Sequence, residues 1–440
     1  MISKAEYQGW TAHRMTNGLV ELDVVPEIGG RVIQFRRGGK EFFWVNPDLA
    51  GQRPPPGGLG PDGGWLNYGG DKLWPAPQGW DGDDQWPGPP DAVLDGQPYA
   101  FERLPERPGE AAIRLTSRKD PRSGIRFSRV IRIFEGTTRV GIEATMENVD
   151  TRPRRWGIWP HTQLDAGLDG GTKPNRLLKA WCPVNRKSAY PEGFRVMFGR
   201  QDHPSFEVDR ERGLVGVTYR YEVGKIGVDS HGGWVATVDG TSGDVFVQRF
   251  EPFPGREYPD GASVEFWLNG PGTIHAYNRD IEMPDDAKEN PFVFESELLS
   301  PFAELGPGES YSYRYEWYAT NVGGDHKVLD CTPAGVVVEP LAAPATDEAA
   351  KRRGPQATRC RLTGRFGVFA PGTVGLRFLD ARLVEVGTVD TQDDATPARP
   401  VVMDREVKVP PGAGWVEALL KGSDGKVNGV LGRAQIKRSS

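Results

Sequence analysis

Alternation is the feature that most narrows what this chain can fold into. "LVELDVV" (19–25), "RVIQFRR" (31–37), "RVGIEATMEN" (139–148), "SVEFWL" (263–268) and "SYSYRYEWYA" (310–319) all alternate apolar with polar or small side chains. Successive side chains of a strand point to opposite faces, so such runs suit half-buried strands, and helical spacing is nearly absent. In the last run Tyr311, Tyr313, Tyr315 and Trp317 share one face, with Ser312, Arg314 and Glu316 on the other. Turn signals such as "RRGGKE", "VDGTSGD" and "ELGPGES" separate the runs. The 57 Gly and 38 Pro suit many short strands joined by many turns. The pattern predicts an all-β protein, built as a large β-sandwich.

A chain of 440 residues is long for one domain. The stretch "PLAAPATDEAAKRRGPQAT" (340–358) shifts to Ala, Pro and charge, and a linker is expected over 336–358. It would join a first domain, 1–335, to a smaller β-sandwich, 359–440, that carries no histidine and no evident chemistry. A net charge of −6 argues against a nucleic-acid partner, which needs a basic face. No apolar run approaches the roughly 18 residues needed to span a membrane. The start, "MISKAEYQGW", lacks the apolar segment of a signal peptide, and three scattered cysteines read as reduced thiols, so a cytoplasmic location is expected. No cofactor and no metal are expected: the cysteines lack ligand spacing, and "WDGDD" (80–84) lacks the full pattern of a calcium loop.

Three stretches carry chemistry. "WLNYGGDKLWPAPQGWDGDDQW" (65–86) reads as a loop rather than helix or regular strand. Its tryptophans, Trp74 and Trp80 above all, offer indole faces to the C–H face of a pyranose. Asn67, Asp71 and Lys72 offer bonds to hydroxyls, and Gly69–Gly70 allow close backbone approach. In "RRWGIWPHTQLD" (154–165), a strand would put Trp159, His161 and Gln163 on one face, and Pro160 would place it at an edge or bulge. In "FVFESELLSP" (292–301), Glu295 and Glu297 share a face roughly 7 Å apart, where burial would let each raise the other's pKa. Arg249 and Glu251, in "QRFEPFPGREYPDGASVEFW" (248–267), are further candidates for the same cleft.

"VFESELLSP…AELGPGESYSYRYEWYA" resembles the last strands of the galactose mutarotase (aldose 1-epimerase) superfamily. There a C-L-E-x-x-x-x-P strand precedes L-x-P-G-E and a final aromatic-rich strand. "VVPEIGGRVIQFRRGGKEFFWVNP" resembles its opening, and "RWGIWPHTQLD" falls where the superfamily carries a catalytic histidine. The resemblance spans roughly 15–320 and is closest to a bacterial branch. It implies a mutarotase-like β-supersandwich with a small-molecule or oligomeric saccharide in its concave cleft, walled by the tryptophan-rich loop. It also implies Glu295 as catalytic base and His161 as catalytic acid, facing each other across a sugar ring. Epimerases carry a second histidine in an early H-G-G motif. Here no histidine stands between His13 and His161, and the "HGG" at 231–233 comes too late in the order. Three readings stay open: interconversion of anomers, carbohydrate binding without catalysis, and lyase-like chemistry on the same fold.

Overall fold

The period-two runs become strands almost without exception. The computed structural model describes residues 1–344 and 359–437, and among these helical structure is confined to three short 3-10 turns. Two units result. The first comprises Met1–Glu135, Arg139–Thr237 and Val247–Trp317, and the second Gly136–Thr138, Val238–Phe246 and the chain from Tyr318 onward.

The first unit is built on two large sheets. One, of twelve strands, runs in the order Ile2–Tyr7, Trp10–Thr16, Glu21–Val25, Arg31–Arg37, Asp71–Ala76, Arg154–Asp165, Val293–Leu298, Val264–Leu268, Gly224–Val228, Arg195–Phe198, with two short strands attached. The other, of ten, includes Ile125–Phe134, Val140–Asn148 and Ser310–Asn321. Tyr313, Tyr315 and Trp317 lie buried, as their shared face requires, and Trp317 meets Phe43 edge-on with ring centres 5.5 Å apart.

A polar layer behind the middle of the first sheet fixes its register. Asp71 pairs with Arg129 of the facing sheet, and the Thr162 hydroxyl donates to Asp71 Oδ2 at 2.6 Å. Gln248 donates to Thr162 Oγ1 at 3.3 Å and accepts from the Ser296 hydroxyl. Asp71, Thr162 and Ser296 thus hold three adjacent strands by their inner face. Because alternation has period two, the residues on either side of each must project outward. A slip of one residue would bury the outward set and expose this one.

Two expectations change here. The "GGDKLWPAP" stretch is no loop: Asp71–Ala76 is a strand, buried throughout, inside the sheet. Gly69 and Gly70, at φ 91° and 69°, serve the fold rather than a ligand. A Cβ on Gly69 would lie 2.2 Å from the Trp44 carbonyl oxygen, and one on Gly70 2.5 Å from that of Val32. The strand Arg154–Asp165 is likewise central, not an edge, with Pro160 opposite Leu73. Its ladder to Val293–Leu298 begins only at His161, so the missing N–H of Pro160 costs no bond in that ladder.

In the second unit an eight-stranded sheet runs Glu385–Ala395, Gly372–Leu379, Trp415–Lys421, Val427–Lys437, Gly335–Pro344, Arg359–Val368, Val401–Lys408, with the short strand Asp330–Cys331 attached to Gly335–Pro344. Leu362, Phe366, Leu376, Phe378, Val416 and Leu420 form its core. Gly335–Pro344 is a full strand of this sheet, which corrects the expected linker onset at 336: the apolar run "GVVV" outweighs the Ala/Pro character that follows. The remainder of that expected linker, 345–358, lies outside the described residues. No helix among the described residues is long and apolar enough to cross a membrane.

Candidate functional site

The outward set of the central strands meets side by side. Strand pairing places His161 opposite Lys72 on one side and Glu297 on the other, and Gln163 opposite Glu295. The next strand sets Glu265 opposite Glu297 and Trp267 opposite Glu295, and Lys225 follows opposite Trp267. These positions floor a cleft of about 1020 Å³ whose lining includes Trp74, Trp159, His161, Gln163, Lys225, Trp267 and Glu295. Trp65, Trp80, Asn67, Tyr277 and Asn269 line its walls.

His161 is the centre of the floor. It is 3% exposed, and its ring lies against Trp74 with centroids 4.1 Å apart. Nε2 stands 3.2 Å from Glu295 Oε1, and Nδ1 3.9 Å from Glu297 Oε2. Neither ring nitrogen makes an aligned hydrogen bond with a described residue. Burial pushes the imidazole down to about 4 against the pull of Glu295, so it is neutral at pH 7. Burial would raise Glu295, but His161 outweighs it, with help from Lys72 and Gln163, and the carboxyl falls to about 2. At neutrality the dyad is therefore a carboxylate beside a neutral imidazole, which keeps one N–H and one ring nitrogen able to accept a proton.

Gln163 ties this dyad to Lys72. Its Oε1 accepts from Lys72 Nζ at 2.7 Å, and its Nε2 donates to Glu295 Oε1 at 2.7 Å. An ammonium only donates and a carboxylate only accepts, so the amide orientation is forced from both ends. Lys72 is 1% exposed and lies behind Gln163, with burial, and then Arg31, pushing its ammonium down to about 7.

A second charged cluster adjoins. Lys225 Nζ bonds Glu297 Oε2 at 3.0 Å and lies 2.6 Å from Glu265 Oε2, while Trp159 Nε1 donates to Glu297 Oε2 at 2.7 Å. Burial pushes Lys225 down, but the two carboxylates outweigh it and hold the ammonium above its ordinary value. Burial raises both glutamates, Glu265 to about 7, despite Lys225. Among the described residues, His161, Glu295 and Glu297 are the one set of three placed to share a metal ion, their ligand atoms within 4.8 Å of one another. Lys225 already supplies a positive charge at Glu297, so the arrangement serves proton handling better than metal binding.

The expected site residues sort by strand parity. His161, Glu295, Trp159, Gln163, Trp74, Trp80 and Asn67 line the cleft. Lys72 and Glu297 stand on the same face but beneath its floor. Trp74 is only 2% exposed and packs against Trp86, Trp159 and His161, so it is floor rather than loop wall. Asp71 is corrected outright, because its carboxylate faces the inter-sheet layer and Arg129. Arg249 and Glu251 are corrected as well. Gln248 of Asp244–Phe250, in the facing sheet, points inward, so Arg249 points away, and neither residue lines the cleft. The expected facing of Glu295 and His161 across a sugar ring is corrected too: at 3.2 Å on paired strands they leave no room for a ring between them. Lys225, Glu265 and Trp267 were not anticipated. A charge inside the otherwise apolar run "VEFWL", two residues from a tryptophan, was the available signal for two of them.

The family model described as "Domain of unknown function (DUF4380)" matches residues 12–320. A search of curated proteins returns no match. Solved structures similar to the chain include a galactose mutarotase-like protein from Clostridium acetobutylicum, at 10% identity and a TM-score of 0.43, over 73% of this chain and 98% of that one. A candidate aldose 1-epimerase from Klebsiella pneumoniae shares 12% identity at a TM-score of 0.47, over 71% of this chain and 80% of that one. A TPR-domain containing protein from Parabacteroides distasonis shares 12% identity at a TM-score of 0.45; the match covers 72% of this chain but about half, 48%, of that one.

Proposed function

Because the chain belongs to the DUF4380 family, whose description names no activity, we propose a function from the site itself: the cleft binds a neutral reducing saccharide and interconverts its anomers. The observation that carries this reading is the His161–Glu295 dyad, 3.2 Å apart, on the floor of an aromatic-walled cleft. The two oxygens that must exchange a proton, the anomeric hydroxyl and the ring oxygen, are bonded to one carbon. A single imidazole can therefore serve both.

His161 takes the anomeric hydroxyl proton, and Glu295 stabilises the imidazolium that forms. The oxygen lone pair closes the carbonyl while the bond from the anomeric carbon to the ring oxygen breaks. Its electron pair goes to the ring oxygen, which receives the proton back from His161. The aldehyde rotates, and the reverse steps on its other face give the other anomer. Compared with the roles that the family resemblance implies, His161 becomes the proton carrier and Glu295 its electrostatic partner. The early second histidine is not needed in this scheme. The lining acids Glu41, Asp48, Asp165, Glu289 and Glu295 outnumber the lining lysines, Lys225 and Lys288, which disfavours a polyuronate and with it the lyase-like alternative.

The test is the pH profile of anomer exchange. His161 loses its base form only as pH falls through its depressed pKa, so kcat/KM should hold down to about pH 5 and decline towards 4. Measuring this in Glu265→Gln removes the carboxyl that titrates near 7. In that variant a rate with no decline between pH 5 and 4 contradicts the assignment; a limb at pH 6–7 would report Lys72 or Asp260, whose pKa values lie near 7 and 6. The walls give a separate expectation. Trp80 is half-buried, in ring contact with Tyr277 at 4.6 Å, and lines the cleft. Trp80→Ala should weaken saccharide binding roughly two- to tenfold, the loss of one stacking face, while the thermal midpoint barely moves. Unchanged affinity by calorimetry would remove Trp80 from the binding surface.

A further inference from the structure

One pyranose does not fill this cleft. Its volume of about 1020 Å³ stands at the top of the roughly 300–1000 Å³ range that takes a drug-sized ligand, and a single sugar ring is far smaller than that. A side pocket of about 310 Å³ shares Trp80, Trp159, Phe198 and Lys225 with the main cleft. Trp159 also lies against His161, with ring centroids 5.5 Å apart, so the side pocket opens beside the dyad.

The new charged groups in this pocket are Arg195 and Asp260. Arg195 comes from the strand Arg195–Phe198 at the end of the sheet order, and its side chain is 44% exposed. Its Nη2 stands 3.7 Å from Asp260 Oδ1, too far for a hydrogen bond, so both groups keep bonding capacity for a guest. The turn Pro259–Gly261 presents Asp260 and is held in place: the Tyr190 hydroxyl reaches the Asp260 carbonyl oxygen at 3.2 Å and that of Gly261 at 3.0 Å. A guanidinium fork donates to two oxygens, and a carboxylate accepts from two hydroxyls, which together match a vicinal diol. Their charges largely cancel, so the pair does not select an anion. Burial pushes the Asp260 carboxyl up to about 6, in keeping with a group that still lacks a close partner.

We infer that the ligand is a neutral reducing oligosaccharide of at least two units, with its reducing end at His161 and Glu295 and its next unit held by Trp80, Arg195 and Asp260. The inference rests on the saccharide reading of the main cleft and extends it to substrate class. Calorimetry and saturation-transfer NMR test it, comparing glucose, galactose and mannose with the reducing disaccharides cellobiose, lactose and maltose. The best disaccharide should bind about tenfold or more tightly than its component monosaccharides. Arg195→Ala and Asp260→Asn should each bring that ratio towards one. Should Asp260→Asn fail to fold, Arg195→Ala, at an exposed position, carries the test alone. A ratio near one in the wild type, or one untouched by the variants, overturns the inference while leaving the saccharide cleft standing. Absence of binding by every sugar overturns both.

Discussion

Glu295→Gln and His161→Asn should each slow anomer exchange by about 10²–10⁴-fold, the usual contribution of one general acid–base group. Both replacements keep approximate shape, so the aromatic floor around them should survive. The two should fail differently. His161→Asn removes the atom that carries the proton. Glu295→Gln leaves the imidazole in place but takes away the carboxylate 3.2 Å from Nε2 that stabilises its charged form. The glutamine variant should keep a level profile above pH 5 with its acid limb moved lower still, because its imidazole has lost the carboxylate that raises its pKa, while the asparagine variant should show no such limb. Loss of less than tenfold in both, with saccharide affinity intact, would remove the dyad from the chemistry.

Arg129→Met should destabilise the first unit by about 3–5 kcal/mol, because it leaves Asp71 as an uncompensated charge between two sheets. Asp71 is wholly buried, and its remaining bond is from the Thr162 hydroxyl. The loss is electrostatic rather than a matter of packing, so a second change should reverse much of it. In Arg129→Met with Asp71→Asn neither charge of this pair remains, and stability should return to within about 1–2 kcal/mol of the wild type, in line with buried pairs that apolar groups replace at little cost. Urea unfolding of the two singles and the double measures the coupling. A single-variant cost below about 1 kcal/mol would mean that water or backbone compensates Asp71, and that the polar layer does not set the register of the site strands.

That layer also explains what could be read from the chain and what could not. The faces of "RRWGIWPHTQLD" and "FVFESELLSP" followed from alternation alone, which is why Trp159, His161, Gln163, Glu295 and Glu297 all stand on one surface. Alternation says nothing of which strand lies next to which. Lys225 and Glu265 reach Glu297 only through pairings between segments far apart in sequence, and no local pattern encodes those. Asp71 failed for a different reason. Prolines and paired glycines made its stretch look like a loop, and once the strand was missed, so was the parity that sends Asp71 inward and Lys72 outward. Arg249 suffered the same loss of parity in the facing sheet. The strand Gly335–Pro344 was hidden by composition, because Ala and Pro at its end resemble a linker more than the apolar residues at its start resemble a strand.

We propose that this cleft opens and closes the ring of a reducing sugar. Two-dimensional NMR exchange between α and β anomeric protons measures that event directly, with no coupled assay. With the wild-type protein and a reducing saccharide that it binds, exchange should exceed the buffer rate in proportion to protein concentration and be lost in His161→Asn. Binding without excess exchange, or the appearance of an unsaturated product in its place, would contradict it.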